Sequence, residues 1–170
     1  TDPDLVAAVR EGRQREFAEH WDRDAPDPQD PALFISSRLR RDLADREPHR
    51  QLVALYRELL TLRRELPSLA HLRRDTLEVT VARPARVLLV HRWHGPDATI
   101  LALNFDDQPA TVLLPVPGGN WHKRLDTADP TWGGSGSRAP DAVDASQATA
   151  VPLPPRAAVL YHRQIAKEAP

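Results

Sequence analysis

The sequence predicts an α+β chain in which helices come first and an antiparallel β-sandwich follows. Three observations carry this. Apolar residues recur at helical spacing up to about residue 66, alternation with a period of two sets in after Asp75, and Pro/Gly-rich breaks separate the short apolar runs thereafter. The change of period sets a boundary near residues 67–76, with residues 1–70 expected as a helical part and 71–170 as an all-β domain.

Pro3 to His20 is expected as the first helix. Asp2 supplies a cap, Pro3 suits the first helical position and Asp4 complements the positive end of the dipole. Pro26, Pro28 and Pro31 then stop regular structure, because each ring removes a backbone donor. Asp30 before Pro31 repeats the cap-then-proline signal, so a second helix is expected from Pro31 to about Arg41. The third and most strongly patterned helix is expected over Pro48–Leu66. Leu52, Leu55, Tyr56, Leu59, Leu60 and Leu62 form its apolar side, and Pro67 is expected to end it.

Strands are expected at Leu77–Val81, Val87–Trp93, Thr99–Phe105, Thr111–Leu114, Trp121–Asp126, Thr149–Leu153 and Ala157–His162. Residues from Pro130 to about Ala148 lack apolar periodicity and are expected as a long irregular loop. The first part is too small to bury much alone, so its amphipathic helices need a partner surface.

Composition narrows the function. The 170 residues carry a formal net charge of −1, which gives no general pull toward nucleic acid or anionic membrane. No apolar run approaches the ~18–20 residues that span a bilayer. There is no Cys, which excludes disulfides and thiolate catalysis and fits a cytoplasmic location. Methionine is also absent and the chain opens on Thr1, so a processed chain or a piece of a longer one is expected.

The chemistry-bearing residues do not assemble into a catalytic pattern. His91 and Trp93 share one face of a strand and His94 points to the other, so no metal site forms there. Gly133-Gly134-Ser135-Gly136 lacks the Lys-Ser/Thr of a phosphate loop and the spacing of a nucleophile elbow. Glycoside cleavage needs two carboxyl groups about 5–10 Å apart in a cleft. Asp27 and Asp30 could approach one another, yet Asp30 is read first as a helix cap. Trp21 either stacks on a sugar ring or covers the edge of a neighbouring helix.

Three stretches, taken together, resemble a known family: Asp2–Ala18 with its charged run Arg10-Glu11-Gly12-Arg13-Gln14-Arg15-Glu16, the proline-rich Pro26–Phe34, and His49–Arg64 with Leu55-Tyr56-Arg57-Glu58-Leu59. Leu101–Phe105 and Leu125–Pro130 add to the likeness. The resemblance is to the trehalose-releasing hydrolases of the alpha-amylase family of glycoside hydrolases, and it covers nearly the whole chain. It implies hydrolysis of the α-1,4 bond next to the terminal trehalose unit of maltooligosyl trehalose, by a retaining pair of carboxyl groups at the mouth of a (β/α)8 barrel. The motifs holding those carboxylates come earlier in the family's chain and are not here, so the resemblance places no catalytic residue, metal or cofactor on this segment. It implies that Asp2–Arg41 is an insertion after the last barrel strand and Pro48–Leu66 the last barrel helix. By loop position, Gln29 and Asp30 become wall residues of the substrate cleft, with Trp21 as a sugar-stacking candidate. The rest of the barrel and maltooligosyl trehalose are the implied partners. A carbohydrate-binding β module and the tail of a related debranching enzyme are the alternatives, the first supported by the four tryptophans.

Overall fold

The computed structural model describes residues 2–18, 26–147 and 149–164. They form two compact units, Thr1–Asp42 and Leu43–Pro170.

In the first unit, α1 (Pro3–Phe17) starts as its sequence dictates: the Asp2 carboxylate accepts from the backbone N–H of Asp4 at 3.0 Å and of Leu5 at 3.4 Å. Ala18 is its C-cap, so the helix is shorter than expected, and the rest of the expected extension to His20 lies outside the described residues. α2 (Pro31–Ser36) is capped by Asp30 but stops five residues before Arg41. Ser36 Oγ and Ser37 Oγ both donate to the Leu33 carbonyl, at 2.9 and 2.8 Å, and such back-bonding competes with continuation of the helix. Neither helix buries a residue.

The second unit opens with α3 (His49–Glu65), within one residue of expectation at each end. As expected, α3 stops just before Pro67, which then restarts helical structure. It takes the first position of a single turn, α4 (Pro67–Ala70), where its missing N–H costs nothing. Eight strands follow: β1 Leu77–Ala82, β2 Val87–His94, β3 Asp97–Asn104, β4 Ala110–Leu113, β5 Asn120–Asp126, β6 Ala142–Asp144, β7 Ala150–Leu153 and β8 Ala158–Gln164. Six make an antiparallel sheet in the order β1-β2-β3-β8-β5-β6, and β4 pairs with β7 in a separate antiparallel sheet.

The alternation read from sequence decides which way each strand faces. Val87 and Leu89 of β2, Ile100 and Ala102 of β3, Val159 and Tyr161 of β8 and Trp121 of β5 point to one side. There they share a buried cluster with Val112, Val151 and Leu153 of the small sheet. The other side of the central strands presents Leu101, Leu125 and Leu160, which meet Leu55 and Leu62 of α3, Leu66 just after it, Leu69 of α4 and Trp132. At about 1.5–3 kcal/mol per buried leucine, this contact makes α3 and α4 part of the β unit's own core.

The segment Pro130–Ala148 is more ordered than its composition suggests. It contains a 3-10 turn, Pro130–Trp132, and strand β6, paired to β5 through Trp121↔Val143. Both backbone and side-chain bonds order it; the Gly136 N–H donates to the Ala128 carbonyl at 2.8 Å. Lys123 Nζ donates to the Ala139 carbonyl at 2.7 Å and to Ser137 Oγ at 3.2 Å, and Ser137 Oγ donates to Asp126. Gly134 lies so close to Ala128 that a Cβ there would meet its backbone at 2.2 Å.

Candidate functional site

Of the three residues singled out from sequence, Trp21 lies outside the described residues. Gln29 and Asp30 are exposed side by side before α2. The proline-rich loop is built around Asp27. Its Oδ1 accepts from the Gln29 backbone N–H at 2.9 Å, its Oδ2 takes Arg10 Nε of α1, and its carbonyl accepts from the Asp30 N–H at 3.0 Å. The Gln29 N–H and the Arg10 guanidinium hold the Asp27 carboxyl below the ordinary carboxylate range, against the opposing effect of desolvation. Asp30 accepts from the Ala32 N–H at 2.8 Å as the α2 cap. Both carboxylates are therefore committed to loop geometry, and a proton-transferring pair does not result. The Gln29 side chain is exposed and makes no hydrogen bond among the described residues, so it is the loop's side chain available to a ligand.

A second cluster was not legible in the sequence. Asp97, at the start of β3, is 4% exposed, and its Oδ2 lies 2.6 Å from Nε2 of His162 on β8. Its Oδ1 accepts from the Ser68 N–H of α4 at 2.8 Å, and Ser68 Oγ bonds Thr99 Oγ1 at 3.2 Å. Burial disfavours the charge on Asp97, but the hydrogen bonds from Ser68 and His162 outweigh it and bring the carboxyl below its ordinary value. The residue types are those of a hydrolytic triad, and the order is wrong for one. The carboxylate sits between serine and histidine, and the serine hydroxyl is fully buried against a threonine. The cluster is a polar latch holding α4 to β3 and β8. Its members are up to 94 residues apart in sequence, so no local spacing announces it.

The third feature is a cleft of about 350 Å³ at one end of the core face of the large sheet. The face that is apolar at Val87 and Leu89 continues along β2 as His91 and Trp93, and the register sets Glu78 of β1 beside His91 and Arg163 of β8 beside Ala98. Pro115 and Pro117, in the stretch after β4, form the opposite wall. The His91 and Trp93 rings lie 5.0 Å apart, and Arg163 lies over the Trp121 ring at 5.2 Å while its Nη1 donates to the Gly118 carbonyl. Burial lowers the His91 pKa, offset in part by Glu78 and reinforced by Arg163, so the imidazole is neutral at pH 7. Nε2 of His91 and Nε of Arg163 are closed off from solvent without a partner, a state that costs about 1–3 kcal/mol per group. As expected, His94 faces away; its ring stacks on His71 at 4.1 Å. Among the described residues no group of three or more His, Asp or Glu side chains is placed to hold a metal ion, and no helix is long and apolar enough to cross a membrane.

A mixed helix and antiparallel-sheet unit of this kind is the small C-terminal domain of alpha-amylase-like enzymes. A Salmonella typhimurium crystal structure assigned to the alpha amylases superposes with a TM-score of 0.67 at 28% identity, over 96% of this chain and 24% of its own. Residues 75–160 match the family model described as "Domain of unknown function (DUF3459)", and the chain belongs to that family. The malto-oligosyltrehalose trehalohydrolase of Rhizobium sp. (strain M-11) is 40% identical over 116 residues, 67% of this chain and 19% of the relative. That of Arthrobacter ramosus is 41% identical over 120 residues, 69% of this chain and 19% of the relative. The chain thus spans about a fifth of the length of the curated relatives it matches.

Proposed function

We propose that this chain is the C-terminal part of a cytoplasmic glycoside hydrolase that releases trehalose from maltooligosyl trehalose by cleaving an α-1,4 bond. In this reading residues 1–70 are the helical end of a (β/α)8 barrel, with α3 as its last helix, and residues 71–170 are the β-sandwich domain. The carboxylates that break the bond belong to the rest of the barrel, and this segment braces it. Trp21, Gln29 and Asp30 stand on the loop that forms part of the substrate cleft wall.

The observation that carries the reading is the double apolar surface of α3. One face, with Leu62 and with Leu66 just after the helix, is buried on the sheet. The adjoining face presents Leu52, Tyr56, Leu59 and Leu60, of which Tyr56 is 60% and Leu60 55% exposed. A helix this apolar on two faces is suited to lie between two bodies. The relatives named malto-oligosyltrehalose trehalohydrolase, about five times as long as the matched segment, supply both the second body and the choice of reaction.

The test is product analysis of the full-length protein containing this segment, incubated with maltooligosyl trehalose and, separately, with a branched glucan. Trehalose is the expected product, and the isolated 170-residue chain is expected to release none. Linear chains from a branched glucan, without trehalose, would point instead to a debranching enzyme.

A further inference from the structure

We propose that the cleft lined by Trp93, His91, Glu78 and Arg163 is a carbohydrate site, which holds a short α-glucan segment. Its class of ligand follows from the lining. Trp93 is half-buried, packed on the core and lining the cleft, so it offers an apolar platform with little conformational freedom left to lose. Glu78 and Arg163 carry opposite charges on the same cleft, and both act electrostatically on His91. Such a pair disfavours a net anion and a net cation alike, while carboxylate and guanidinium together accept from and donate to neighbouring hydroxyl groups. A neutral polyhydroxylated ring with one C–H face meets all of these demands.

The polar groups are free to serve it. Glu78 is exposed and makes no hydrogen bond or ion pair among the described residues. Arg163 is anchored through Nη1 on Pro117 and Gly118, and its Nη2 makes no hydrogen bond among the described residues. The volume of about 350 Å³ lies within the roughly 300–1,000 Å³ of small-ligand sites. The cleft is made by β1, β2, the turn after it, β3, β8 and the stretch after β4, all within the second compact unit.

The choice of α-glucan among neutral sugars rests on the reading given under Proposed function. Maltoheptaose is therefore the probe, titrated calorimetrically into the full-length protein and into its Glu78→Ala and Trp93→Ala variants. Glu78 is exposed, so its substitution leaves folding intact even if loss of the Trp93 ring does not. Two binding events are expected in the unsubstituted protein, with one of them weakened about tenfold or lost in Glu78→Ala. A single event in the unsubstituted protein, or two events unchanged by Glu78→Ala, overturns the proposal. Trehalose release by the unsubstituted protein reports separately on the parent reading. Release without a second binding event sinks the site alone; a Glu78-dependent second event without release sinks the parent reading alone.

Discussion

The Asp97 carboxylate reaches His162 Nε2 at 2.6 Å through one oxygen and the Ser68 N–H at 2.8 Å through the other. One buried side chain thereby ties a helical turn to two strands of the sheet. Replacing it with asparagine keeps its size and removes its charge. Asp97→Asn is expected to cost about 1–3 kcal/mol, since a charge-assisted bond is weakened inside the fold. Urea unfolding measures this, and a loss within about 0.5 kcal/mol, as at an ordinary surface position, would show that the latch does not stabilise the fold.

The same latch sets an acid limit. The Asp97 carboxyl lies below its ordinary value in the folded protein, so its contribution is present above the unfolded-state value near 3.9. It is lost as pH falls through the folded-state pKa. Melting temperatures of wild type and Asp97→Asn, measured from pH 6 downward, should therefore stay apart until about pH 4 and converge below it. A constant gap across that window would mean that the carboxylate's ionisation is not what stabilises.

Leu62 and Leu60 of α3 are two residues apart and differ in exposure, 1% against 55%. In the isolated chain Leu62→Ala should cost about 2–5 kcal/mol by opening a cavity, and Leu60→Ala less than about 0.5 kcal/mol. In the full-length protein both should be costly, because the second face of α3 is then covered. Denaturation of the four proteins checks this, and a neutral Leu60→Ala in full length would remove the observation behind the barrel reading.

Gly134 is held where any side chain collides with the Ala128 backbone. Gly134→Ala should displace the segment carrying Trp132 from the leucine cluster, at about 1–3 kcal/mol or more. Tryptophan emission should shift to the red and the urea midpoint should fall; an unaltered spectrum would show that the loop does not depend on this approach.

Gln29 offers an exposed side chain on the proline-rich loop, while Asp30 is spent on capping α2. If the proposed function holds, Gln29→Ala in the full-length protein should raise KM for maltooligosyl trehalose and leave the melting temperature unchanged. Asp30→Ala should cost about 0.5–2 kcal/mol through its cap. Unchanged kinetics in Gln29→Ala would place the loop outside the cleft.

Much of the fold was legible because its signals are local. Asp2 and Asp30 before prolines announce helix starts, and the β run over Val87–Trp93 announces a strand. The shorter second helix was not, because Ser36 and Ser37 act through side-chain bonds that helical periodicity does not register. Nor was β6, whose order comes from its pairing with β5 across a long loop.

By itself the sequence determined the order of helices and strands, the apolar side of α3 and a composition without cysteine chemistry, since each depends on neighbours a few residues away. Only the tertiary structure decided that Asp97, Ser68 and His162 meet as a latch and that Glu78, His91, Trp93 and Arg163 share one cleft. Those groupings follow from strand register, which brings together residues far apart in the chain. Register is set by the packing of whole faces, and no stretch of the sequence states it alone.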